Sequence, residues 1–591
     1  MAKDVAPAAI HYRVEVADLH AHLFRVTLII AQPQAQQRVS LPVWVPGSYL
    51  VREFSKNLQR LQARQDGKAL ALRQLDKCSW QIDCMPLRPL VLSYEVYAFD
   101  NSVRTAWLDA TRGFFNGTSL CLRVEGQEET AHELELVASK SIARWSVATG
   151  LSPAKINRRG FGSYRAADYD ELVDCPVELG EFWNGTFTAA GVPHRFVVAG
   201  APPSFDGERL LADTRKICEA EILLWHSTGA GRRHKAPHRS YLFMLNATDD
   251  GYGGLEHRNS TALICARRDL PRLGAKPGEG YTTLLGLISH EYFHTWNVKR
   301  LRPAEFVRYD YTQENYTQLL WFFEGFTSYY DDLLLHRAGL IDAAAYLKLL
   351  NKTINQVMQT PGRAVQSLAQ ASFDAWVKYY RQDENTPNAT VSYYSKGALV
   401  ALCLDLTLRA EGPHTLDEVM RALWLRCQGG PMHEDDLLQV LQDITGRAYA
   451  REIKRWVHST AELPLKELLE RHGVAIQEDP AQLAQQLGLR VTEGAAIQIK
   501  TVLRGGAAER AGLAAGDEWL GVEVGSGQAR SGWRLTKLDD LPLYAGAYTK
   551  VQALVARDKR LLKLTLNLPR GMTTWRLSVR DKQLVEAWLA A

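Results

Sequence analysis

The residues best suited to chemistry lie in His290-Glu291-Tyr292-Phe293-His294, inside the segment YTTLLGLISHEYFHTWNVK at 281–299. On a helix, residues four apart sit one turn above each other, so His290 and His294 share a face. That spacing suits two imidazole nitrogens converging on one zinc ion. Glu291, beside the first histidine, is placed to take a proton from a water polarised by the ion. Hydrolytic zinc usually has three protein ligands and one water. The candidate third ligand is Glu324, in WFFEGFTSYY at 321–330. Its neighbours are aromatic or small, and an unpaired buried carboxylate costs several kcal/mol. Either a metal pairs it, or a basic residue such as Lys299 or Arg300 does. The set His290, His294 and Glu324 brings one negative charge to the ion, which leaves it electrophilic. Glu291 would then hand its proton to the leaving amine, and the oxyanion needs a second donor besides the metal. A surface helix with two solvated histidines is the plain alternative.

Those side chains need elements to hold them. Leu284, Leu285, Leu287, Ile288, Phe293 and Trp296 have helical spacing, which predicts a helix over 282–298. Thirty residues from His294 to Glu324 allow a loop and a second helix, expected at about 312–338. Further helices are expected at 342–358, 394–411, 415–426, 434–444 and 448–458. Upstream, HRFVVAG, SYLFMLNA and ALICAR read as strands, with a helix at 207–227 ending near Gly229. The stretch 249–259, DDGYGGLEHRN, reads as a loop between two of those strands. From about 10 to 182, short alternating runs such as HYRVEV, HLFRVTLII and LVLSYEVYAF predict a β-sandwich. Its Trp44 and Pro46-Gly47-Ser48-Tyr49 turn read as fold elements rather than a site. The expected fold class is multidomain α+β, with domains at 1–183, 184–471 and 472–591.

The composition describes an ordinary globular protein. Of 591 residues, 46% are hydrophobic and 23% charged, and the net charge is +4, so nothing points to nucleic acid or an anionic membrane. The eight cysteines are scattered without a CxxC pair, as expected of reduced core residues. The first residues lack an apolar run of signal-peptide length, and no segment is long enough to span a bilayer. A cytoplasmic location is the expectation.

HEYFHTW followed by WFFEGFTSYY resembles the gluzincin metallopeptidases, whose zinc ligands are two histidines and a glutamate from the next helix. Val391-Ser392-Tyr393-Tyr394-Ser395-Lys396-Gly397 resembles the Tyr-x-Lys-Gly segment of leucyl-aminopeptidase-like gluzincins. There the tyrosine steadies the oxyanion, and the matching residue is Tyr394, with Tyr393 as the adjacent competitor. Gly253-Gly254-Leu255-Glu256-His257 resembles their exopeptidase segment, in which the glutamate, here Glu256, grips the substrate α-amine. Leu255 and His257 stand where that segment usually has Met and Asn. His257 is expected to be structural, and Asp331 and Asp332 either orient a histidine ligand or form a solvated face. The C-terminal segment AERAGLAAGDEWLGVEV resembles PDZ domains, and Leu487-Gly488-Leu489 resembles their carboxylate-binding loop. The layout as a whole is similar to the PDZ-bearing glycyl aminopeptidases, family sixty-one of the metallopeptidases. That resemblance implies a thermolysin-like gluzincin domain with a mainly helical second half and one zinc per chain. It implies removal of N-terminal residues, glycine or alanine preferred, from peptides with a free N-terminus. The alternatives are a broader gluzincin amino- or endopeptidase, and a non-catalytic protein that binds peptide C-termini through its PDZ-like unit.

Overall fold

Alternating apolar residues build the N-terminal sheets. In Ile10–Asp18 the side chains of Ile10, Tyr12 and Val14 are buried while Arg13 between them is exposed. This strand pairs antiparallel with Leu23–Ile30, which pairs in turn with Leu90–Tyr97. They belong to an eight-stranded sheet accompanied by two four-stranded sheets. Tyr12 and Phe24 from the first, Val39 and Ile82 from the second, and Phe115 and Val177 from the third share one buried core. The computed structural model describes residues 9–226, 236–569 and 571–590. The expected helix end at 227–229 lies outside the described residues.

The chain divides into two compact units, Met1–Tyr316 with Arg337–Leu340 and Met420–His433, and Thr317–His336 with Ile341–Val419 and Glu434–Ala591. Besides the N-terminal sheets, the first unit holds a five-stranded sheet. Its order is Trp183–Ala189, Val192–Ala199, Tyr241–Thr248, Ser260–Ala266 and Gly253–Glu256. The three inner strands run parallel and are buried almost throughout, as expected for strands covered on both faces. The outer strand Gly253–Glu256 falls within the expected loop 249–259. Two glycines depress its strand signal, and pairing with Ser260–Ala266 imposes the extended backbone. The helices Gly207–His226 and Glu279–Phe293 meet through Ser289 Oγ, which donates to Glu221 Oε1 at 3.1 Å, and through the rings of Trp225 and Phe293.

The second unit is mainly helical up to about residue 471 and includes Gly325–Arg337, Ala343–Met358, Tyr393–Glu411, Glu434–Thr445 and Ala450–Trp456. The helix expected over 312–338 starts late, at Leu320, and is interrupted at Glu324. Its first residues instead form a turn in which Asp310 Oδ1 accepts from the Thr312 amide and Asn315 Oδ1 from the Asp310 amide. Such side chains compete with helix formation. Strands Leu489–Glu493, Ile497–Val502, Glu518–Val524, Lys550–Arg557 and Arg560–Asn567 follow in one sheet over a core of Leu489, Ile497, Trp519, Val522 and Leu566. Among the described residues no helix is long and apolar enough to cross a membrane.

Candidate active site

The helix Glu279–Phe293 buries ten of its fifteen residues, and His294 caps it with a right-handed helical backbone. The Nε2 atoms of His290 and His294 stand 3.1 Å apart. Two nitrogens at tetrahedral positions on one zinc would be about 3.4 Å apart, given Zn–N of ~2.0–2.1 Å. His294 Nδ1 bonds the Asn297 carbonyl at 2.8 Å, which fixes the tautomer that leaves Nε2 a lone pair. One ligand atom each from His290, His294 and Glu324 lie within 4.8 Å of one another. Glu324 is buried. Lys299 Nζ meets Asp174 at 2.7 Å, and Arg300 donates to the carbonyls of Arg258, Thr295 and Pro237. Two neutral nitrogens and one carboxylate form a donor set that fits zinc.

Glu291 is buried, and the strand Gly253–Glu256 runs beneath it. A Cβ on Gly254 would stand 2.1 Å from Glu291 Oε1, so the strand reaches the carboxylate because the side chain is missing. Glu256, two residues on, is also buried, and its Oε1 has no hydrogen-bond partner among the described residues. The backbone of Gly47, at φ +93°, closes over that carboxylate, and a Cβ there would lie 2.5 Å from Glu256 Oε1. The Pro46-Gly47-Ser48-Tyr49 turn therefore packs directly against the Glu256 carboxylate. Gly253 adopts φ +146° at the start of the strand.

His257, beside Glu256, points into an ionic cluster. Its Nδ1 lies 3.1 Å from Asp174 Oδ1, the oxygen that also receives Lys299. Burial would push the Asp174 carboxyl up, yet Lys299, His257 and Arg258 together hold it well below the usual carboxylate range. Burial likewise works against the Lys299 charge, but Asp174, Tyr309 and Glu256 outweigh it and raise its pKa. Sequence reasoning missed Asp174, because no local pattern links residues 174, 257 and 299.

In the second unit, the helices Gly325–Arg337 and Tyr393–Glu411 touch at two glycines. A Cβ on Gly325 would meet Gly397 Cα at 2.5 Å. The glycine of the Tyr-x-Lys-Gly segment is thus required by close helix packing. The Ser392 side chain caps the second helix by accepting from the Ser395 amide. Tyr393 is fully buried in the core, whereas Tyr394 is partly exposed. Burial, and then the Glu324 carboxylate, push the Tyr394 hydroxyl well above the usual tyrosine value. Its Oη lies 3.1 Å from that of Tyr380, a residue the sequence did not single out.

Comparison with known proteins agrees with this geometry. The family model for the Peptidase M61 N-terminal domain matches residues 11–181, and that for M61 glycyl aminopeptidase matches 283–400. A crystal structure described as an aminopeptidase N family protein from Idiomarina loihiensis is 37% identical, with a TM-score of 0.92, over 98% of this chain and 100% of that one. The chain belongs to the M61 glycyl aminopeptidase family. It is a metallo-aminopeptidase. An M1 zinc metallopeptidase from Deinococcus radiodurans aligns at 15% identity with a TM-score of 0.49, over 77% of this chain and 94% of that one. Curated proteins give no match.

Proposed function

We propose that the chain is a monozinc aminopeptidase that removes N-terminal glycine or alanine from peptides, with His290, His294 and Glu324 as the ligands. The observation that carries this reading is the meeting of three ligand atoms from two separate helical segments, thirty residues apart in sequence. Zinc, when bound, supplies Lewis acidity to the scissile carbonyl and to water. Glu291 accepts the proton of the attacking water and passes it to the departing nitrogen. Tyr394 donates its hydroxyl hydrogen bond to the oxygen that gains charge. Glu256 binds the substrate α-ammonium, and Gly253 and Gly254 give the peptide backbone access to the strand edge. A fixed amine sets the first peptide bond over the metal, which favours an aminopeptidase over a broader gluzincin or an endopeptidase.

Preference for glycine or alanine rests on the family. The proposed domains are 1–183, 184–471 and 472–591, with the second read as thermolysin-like and the third as PDZ-like. The PDZ-like part acts as a brace. The Gly488 amide, in the segment resembling a carboxylate-binding loop, donates to the Gln485 carbonyl of its own chain at 3.1 Å. Asn388 bonds both Val502 and Arg504, and Asn355 bonds both backbone groups of Trp575. These contacts argue against a protein that serves only to bind peptide C-termini. Eight cysteines without disulfides support a cytoplasmic location.

A panel of aminoacyl amides and N-acetylated peptides, assayed with and without chelator, tests the reading. Glycyl and alanyl substrates should be cleaved best, acetylation should block cleavage, and chelation should abolish it. A Glu291→Gln variant should retain metal and lose about 10²–10⁴-fold in turnover. Undiminished cleavage of acetylated peptides, or full turnover in the variant, would overturn the mechanism.

A further inference from the structure

Strand Gly253–Glu256 is the outermost of its sheet, so one side of its backbone is unpaired by any strand. The His257 amide donates to Ser260 across the hairpin at 3.0 Å. Backbone groups alternate along an antiparallel strand, so those of Glu256 and Gly254 face outward to the free edge. Arg104 sits at that edge. Its Nη2 donates to the Gly254 carbonyl at 3.1 Å, and its Nη1 lies 3.8 Å from where a side chain on Gly253 would begin. Nε is buried without an acceptor, and among the described residues no carboxylate pairs with the guanidinium. A half-buried guanidinium whose partner is a neutral carbonyl has capacity for an anion, and its planar fork matches a carboxylate.

The same strand carries Glu256 at its other end and runs under Glu291 in between. Three residue steps from Gly253 to Glu256 span about 10 Å at ~3.4 Å per residue. An extended tripeptide has that length, at about 3.3–3.6 Å per residue, whereas a dipeptide reaches only about 7 Å. We propose that Arg104 binds the free α-carboxylate of short peptide substrates. A tripeptide then lies antiparallel along this edge as an added strand, held at both ends by opposite charges. This rests on Glu256 as the amine anchor and Glu291 as the base. It names the substrate class as tripeptides with both termini free.

The test compares kcat/KM for glycylalanylphenylalanine and for its C-terminal amide with the metal-loaded full-length enzyme. The wild type should favour the free acid by about tenfold or more. In Arg104→Gln that ratio should fall to near one, and in Arg104→Lys to an intermediate value. Because the ratio is internal to each variant, partial misfolding does not mimic the result. Equal cleavage of acid and amide by the wild type would overturn the proposal. So would an Arg104→Gln variant that loses activity on both in equal proportion, as bracing of Gly254 alone would produce. Cleavage of neither peptide by the wild type would overturn the aminopeptidase reading, and this proposal with it.

Discussion

Gly47 shows how a residue without a side chain makes room for a buried carboxylate, that of Glu256. Its φ of +93° and its contact with Glu256 both exclude a Cβ. In Gly47→Ala the methyl group must displace the carboxylate or the turn. The expected outcome is a rise of about tenfold or more in KM for free-amine peptides, with metal content unchanged; an unaltered KM would detach this turn from substrate binding. Nothing in WVPGSY distinguishes such a turn from an ordinary one, because the partner lies 209 positions away in Glu256. Glu291 and the two histidines were legible for the opposite reason, since their chemistry is packed into five consecutive residues. The Tyr-x-Lys-Gly match favours Tyr394 over Tyr393, and in the structure Tyr393 is buried whereas Tyr394 is partly exposed.

At the scale of elements, the histidine helix depends on what lies behind it. Tyr292, on the side away from the ligands, donates its hydroxyl to His194 Nε2 at 2.9 Å and sits 3.3 Å from His238 Nε2. Burial lowers the His194 pKa to about 4 and, with neighbouring His194, Arg300 and His226, that of His238 to about 2. Both rings are therefore neutral in the folded chain, while in the unfolded chain they titrate near 6.5. The unfolded state binds more protons in that window, so stability falls as pH drops from 6.5 toward 4. His194 alone accounts for roughly 2 kcal/mol lost by pH 5, at ~1.4 kcal/mol per unit. Thermal melts of His194→Gln should show a shallower decline between pH 6.5 and 5 than the wild type, and an unchanged slope would reject the assignment. Helix positions were readable from apolar spacing for Ala343–Met358 and Tyr393–Glu411, which start and end close to expectation. The strand Gly253–Glu256 was not, because it owes its shape to its neighbour in the sheet rather than to its own residues.

For the whole molecule, the order of sheets first and helices after was visible in the change from a period of two to one of 3.6. The path that returns Glu324 to His290 and His294 was not, since it is set by packing between distant segments. The Gly325–Gly397 contact is one such constraint, fixing Glu324 and Tyr394 on touching helices. The account stands on those three side chains holding a single ion. Elemental analysis of the purified wild type and of Glu324→Ala measures this directly. It should find one zinc per wild-type chain and a loss of both metal and peptidase activity in the variant. A variant that keeps its zinc and its turnover would contradict the account.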